Sequence, residues 1–165
     1  MRQADLFPYL KLVCVFIYFA LASQGAFYIF LGFSKAMLNV SADTFVEIRR
    51  ATDSVIGPKL KFGYLAGLAL LLAWMFVSFR VQGSKSHYYA AAAFLLLAAD
   101  MLLAIKLSMP INDLINDTTL KPQNLLTELQ QKWLAYIVIR GALCILGLVI
   151  LLFSELIHPF RPAGF

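Results

Sequence analysis

Histidine and cysteine are scarce in this 165-residue chain, with two of each. His87 and His158 cannot build a histidine-rich metal site within one chain, so no metal is expected. Cys14 and Cys144 lie in separate apolar runs and form no Cys-x-x-Cys pair. That spacing disfavours a thiol redox enzyme, and both read as small buried hydrophobes. Charge is thin and dispersed: the net charge is +5. There is no Gly-rich phosphate loop and no aromatic-basic array, so nucleic acid is not an expected partner. No redox cofactor motif is present either, and no cofactor is expected. Low-complexity tracts and repeats are missing. No small-residue cleavage site follows the first apolar run, which reads as a retained span rather than a signal peptide.

What the chain does have is apolar surface. It is 61% hydrophobic, with a mean hydropathy of +0.79, against roughly 45–50% apolar residues in a soluble domain. The excess falls in four blocks. An all-α integral membrane protein is expected, with one transmembrane domain over 1–165. Spans are placed at 10–33, 60–79, 87–107 and 132–154, each long enough to cross hydrocarbon. The expected architecture is a four-helix bundle, up-down-up-down, with both termini on one side. Phe7, Pro8, Tyr9 and Trp133 suit the membrane–water interface. The lipid bilayer is the first expected partner. Arg2, Lys11, Arg80, Lys85 and Arg161 crowd the short segments on the tail side. The positive-inside rule then puts the termini in the cytoplasm, with a bacterial inner membrane as the expected location. The sequons Asn39-Val40-Ser41 and Asn116-Asp117-Thr118 fall on the opposite side, compatible with that orientation.

The connection after the first span has its own pattern. Ser41 is a good N-cap and Asp43 falls in the first turn. Phe45, Ile48, Thr52 and Val55 recur at helical spacing, while Glu47, Arg49, Arg50 and Asp53 fall largely elsewhere. This predicts an amphipathic helix over 42–56, lying at the interface and ended by Gly57-Pro58. It serves either as a connector or as a lid. Gly63 and Gly67 form a Gly-x-x-x-Gly pair, and Ala22, Gly25 and Ala26 offer a second small-residue surface. The turn over 80–87 holds Gly83, and His87 reads as exposed at the interface. Pro122 is placed to start a helix running through Trp133.

Two charges stand inside apolar runs. Asp100 lies eight residues before Ser108, where the third run ends. Arg140 lies eight residues after Lys132, where the fourth begins. Both therefore sit about 12 Å deep from the same surface. A charge in hydrocarbon costs at least about 2.5–3.5 kcal/mol, so two at matching depth are expected partners. Gln24, with Tyr28 four residues on, faces inward for the same reason. Asn112 can cap backbone donors or meet a ligand.

The spacing Pro110-x-Asn112, then Trp133, then Arg140 resembles the anthrone oxygenase-like family of small four-span membrane proteins. The likeness covers most of the chain in span layout, with its specific motifs between Met109 and Arg140. It implies a four-helix membrane bundle and, in the named fungal branch, oxidation of a polyketide anthrone to an anthraquinone. Relatives often carry a histidine shortly after the tryptophan, where this chain has Tyr136 and Ile137. They also often carry a His-Pro pair after the first span, and none follows Phe33 here.

Two functions compete. The first is a non-catalytic subunit, or a scaffold that binds lipid or a small molecule. Asp100 and Arg140 then fix helix packing, and the partner is a larger membrane complex or a second copy. The alternative is an oxygenase-like membrane enzyme acting on a flat, apolar, phenolic or quinone-like molecule. There Arg140 stabilises an enolate or phenolate and Asp100 orients it or takes a proton, as the catalytic pair. Gln24, Tyr28, Asn112 and Trp133 are the expected ligand-binding residues.

Overall fold

The computed structural model describes residues 3–80, 85–117, 119 and 121–157, with side chains from Leu6 onward. Gly83, His158 and the C-terminal tail lie outside the described residues. Every described element is helical: α1 (Gln3–Ile29), α2 (Phe33–Leu38), α3 (Ala42–Arg80), α4 (Ser86–Leu103), a π turn (Ala104–Ser108), α5 (Met109–Asn116) and α6 (Gln123–Ile157). Four stretches are long and apolar enough to cross a membrane: Leu6–Ile29, Ala42–Arg80, Ser86–Asn116 and Gln123–Ile157. The chain is a small integral membrane protein. α1 packs on α3 and α6, and α4 packs on the same two helices.

The helices differ from the expected spans chiefly at the end away from the chain termini, where the second, third and fourth overrun and the first falls short. The first helix stops at Ile29 rather than Phe33, and Gly32 takes φ +72° before α2 begins. Ser34 Oγ donates back to the Tyr28 carbonyl at 2.9 Å and satisfies one orphan acceptor at that terminus. Ser41 caps α3 as expected, accepting the Thr44 N–H at 3.2 Å. The expected stop at Gly57-Pro58 is overturned: α3 runs unbroken for 39 residues. The forgone Pro58 bond is one of many in a helix anchored on both sides of the proline, by Phe45 and Val46 before it and Tyr64 and Leu71 after it. The third helix likewise continues past Leu107 to Asn116, through the π turn. Pro110 has no N–H and crowds the preceding carbonyls. The wider turn before it, in which the Met109 N–H reaches back to the Ala104 carbonyl, accommodates the ring. α6 starts at Gln123, directly after Pro122, whose carbonyl accepts from Leu125 and Leu126.

Two cores result. One lies among the four long helices and includes Cys14, Tyr18, Leu71, Trp74, Leu97 and Leu151. The other joins Phe45 and Val46 of α3 to Ile111 and Ile115 of α5 and to Leu129, Trp133, Leu134 and Ile137 of α6. The inner face of segment 42–56 is thus set by α5 and α6. Gln130 ties the first connection to this core, donating to the Met37 and Val40 carbonyls at 2.6 and 3.2 Å.

Candidate functional site

Asp100 on α4 has no exposed surface. Arg140 on α6 donates from Nε to Asp100 Oδ1 at 2.7 Å. Tyr64 on α3 donates its hydroxyl to Oδ2. Cys144, one turn beyond Arg140, points its thiol at the same oxygen from 3.1 Å. Arg140 also donates to the Tyr64 hydroxyl oxygen at 3.3 Å and to Ser108 Oγ at 3.2 Å. Carboxylate, phenol and guanidinium form a closed ring in which each touches the other two. The expected Asp100–Arg140 pair is direct.

The π turn explains why Ser108 belongs to this ring. In a regular α-helix, residues eight apart differ by about 80° around the axis. One extra residue in the turn brings that offset down to about 20°. Ser108 thereby shares the face of Asp100 and reaches the far side of the guanidinium. Asn112 and Asn116 follow on that face at four-residue spacing.

A close helix crossing seals the ring. A Cβ built on Gly25 would lie 2.4 Å from Gly141 Cα, and one on Gly141 would lie 2.6 Å from Gly25 Cα. α1 and α6 therefore touch backbone to backbone beside Arg140. Gly63 and Gly67 do something different, since they receive the side chains of Leu21 and Leu97. The space left between Gln24, Tyr64, Asp100 and Arg140 is about 10 Å³, room for about one water molecule. Gln24 lines it, half-buried. The candidate metal donors here are Asp100 and Cys144. Among the described residues, no three His, Cys, Asp or Glu side chains converge.

Tyr28, Asn112 and Trp133 do not join this ring. They meet in a second polar cluster at the level of the second core, around Arg49. The Arg49 guanidinium lies over the Trp133 ring at 4.1 Å and pairs with Asp53 at 3.2 Å. Trp133 Nε1 donates to Asn112 Oδ1 at 2.9 Å. Asn112 and Asn116 donate to the two Asp53 oxygens at 3.4 and 3.0 Å. The Tyr28 ring packs edge-on against Trp133 at 5.7 Å. Trp133 is thus a core residue, 5% exposed, rather than an interfacial anchor. Arg49 and Asp53 face inward, against the expectation from the helical wheel. His87 is half-buried between Phe79 and Tyr88, not exposed.

A third ion pair joins Lys11 of α1 to Glu155 of α6 at 2.6 Å near the chain termini, with Lys11 buried. The sequence held a signal for some of the missed residues. Tyr64 is a hydroxyl inside an apolar run, flanked by Gly63 and Gly67, and a buried phenol needs an acceptor. Cys144 stands four residues after Arg140, on the same helix face. Lys11 carried no inward signal at a span end, where lysine ordinarily reaches for water.

Comparison with known protein families, with curated proteins and with solved structures returns no match.

Proposed function

We propose that this protein is a non-catalytic membrane scaffold, a small subunit in which the Asp100–Arg140 ring fixes which helices pack. One observation carries the reading. Arg140, Tyr64 and Cys144 occupy both Asp100 oxygens, and about 10 Å³ remains beside them. A general base must come within hydrogen-bond reach of its substrate, and a flat polycyclic molecule needs a pocket of several hundred Å³, roughly 300 or more. In this reading the spans run up-down-up-down, with both termini in the cytoplasm of a bacterial cell. Segment 42–56 sits at the opposite face of the inner membrane. The partner is a larger membrane complex or a second copy.

The alternative is the oxygenase-like enzyme. It draws on the phenol held between carboxylate and guanidinium, an arrangement able to pass a proton. The two readings separate when the chain and its Asp100→Leu, Arg140→Leu double variant are purified in mild detergent and everything retained is identified by mass. The scaffold reading expects the same protein partner, or the same oligomer, with both. A planar phenolic or quinone-like molecule, held by the parent and lost from the folded double variant, overturns it in favour of the enzyme.

A further inference from the structure

On the side of the bundle near the chain termini, α1 and α3 leave a groove between them. It is lined by Leu6, Phe7, Leu10, Phe76, Val77 and Arg80, with a volume of about 140 Å³. Its walls are open to the surroundings: Leu6 is 49% and Phe76 61% exposed. One end carries the only charge among the described residues that line it. Arg80 stands in the last turn of α3, its guanidinium held over the Phe76 ring at 4.8 Å. Among the described residues no carboxylate pairs with it. Glu155 of α6 is engaged by Lys11.

We propose that this groove binds an anionic phospholipid, with a length of acyl chain along Leu6, Leu10 and Val77 and the phosphate on Arg80. The geometry matches the molecule's own layout. An apolar slot on a membrane-spanning surface ends in a planar cation at the helix terminus, where headgroups begin. Guanidinium suits phosphate because its fork offers two parallel donors. Stacking on Phe76 holds that fork in place before the lipid arrives. The surrounding charge agrees, since Lys85 is the next described basic residue along the chain and is exposed. The volume fits a single chain and not a packed helix, which favours lipid over a second copy of the protein. The site is independent of the Asp100–Arg140 reading, and neither needs the other.

The test uses the full chain in mild detergent with equimolar phosphatidylglycerol and phosphatidylcholine, and counts retained lipids by native mass spectrometry. The expected result is one phosphatidylglycerol retained over phosphatidylcholine by about fivefold, the preference one basic residue confers beside anionic lipid. Arg80→Gln should bring the two lipids to parity. Val77→Trp, which fills the slot, should reduce retention of both. Lys85→Gln should leave the preference within about twofold of the parent, because it lies outside the groove. Parity in the parent chain overturns the site, as does an undiminished preference in Arg80→Gln. Equal losses from Arg80→Gln and Lys85→Gln also overturn it, since they indicate diffuse attraction to a basic surface.

Discussion

Asp100 accepts hydrogen bonds from Arg140, Tyr64 and Cys144 and, while ionised, donates none. Asp100→Asn removes the charge and places an amide among donors, leaving Arg140 underpaired in the bundle interior. It should cost about 3–5 kcal/mol, read as unfolding in mixed detergent micelles. The Asp100→Leu, Arg140→Leu double variant should recover that loss, because a buried pair exchanged for apolar groups is often neutral or stabilising by about 1–4 kcal/mol. A double variant as unstable as Asp100→Asn would show that the pair is not a self-contained unit. Tyr64→Phe should cost less, about 1 kcal/mol, since two donors to Asp100 remain. The pair was legible in the sequence because a charge in an apolar run is expensive and depth can be counted. Counting from the apparent span ends worked although both helices continue, because they overrun by nearly equal lengths. Arg49 was not legible. Its stem and planar head bury against Trp133, and a wheel that sorts residues by charge cannot show that.

Among the elements, the α1–α6 crossing is the least tolerant of added volume. Gly25→Ala must push two backbones apart. Gly63→Ala meets only the end of the Leu21 side chain, at 3.3 Å. Overpacking costs about 1–3 kcal/mol, and the Gly25 variant should fall at the upper end with Gly63→Ala near zero. Equal unfolding midpoints for the two would contradict that ranking. The small-residue surface at Ala22 and Gly25 was readable from composition, whereas its partner Gly141 was not, because the other glycine of α6, Gly147, lies six residues on and forms no four-residue pair with it. The turn between α5 and α6 has a different support. Asp117 accepts from the Thr119 N–H at 3.0 Å and from its hydroxyl at 2.7 Å, and Lys121 pairs with it at 3.2 Å. These contacts, the Thr119 bonds foremost, hold its carboxyl down from 3.8 to about 2. A lowered folded-state value means the contribution is complete above the usual value and lost as pH falls through the lowered one. An NMR titration of the Asp117 carboxyl carbon should therefore find its midpoint well below 3.8. A midpoint at the usual value would mean the turn does not hold in solution. The failed stop at Gly57-Pro58 teaches the opposite lesson. Residues on both sides of Pro58 are anchored in the two cores, so tertiary packing outweighs the one backbone bond the proline forgoes.

At the scale of the molecule, the four helices are longer than a membrane requires. α3 extends about 58 Å against roughly 30 Å of hydrocarbon. The excess lies at the end where α5 and the start of α6 build the second core. With up-down-up-down spans, reporters fused at the N- and C-termini should fall in the same compartment. Opposite compartments would require an odd number of crossings. The second core also imposes an order on synthesis. Phe45 and Val46 leave the ribosome early, whereas Leu129, Trp133, Leu134 and Ile137, which cover them, come from the last helix. Until α6 is made, only Ile111 and Ile115 of α5 cover the inner face of the first turns of α3, and Arg49 stands without its tryptophan. A chain cut short before α6 therefore leaves this core half built, and completion of the last helix is what closes it.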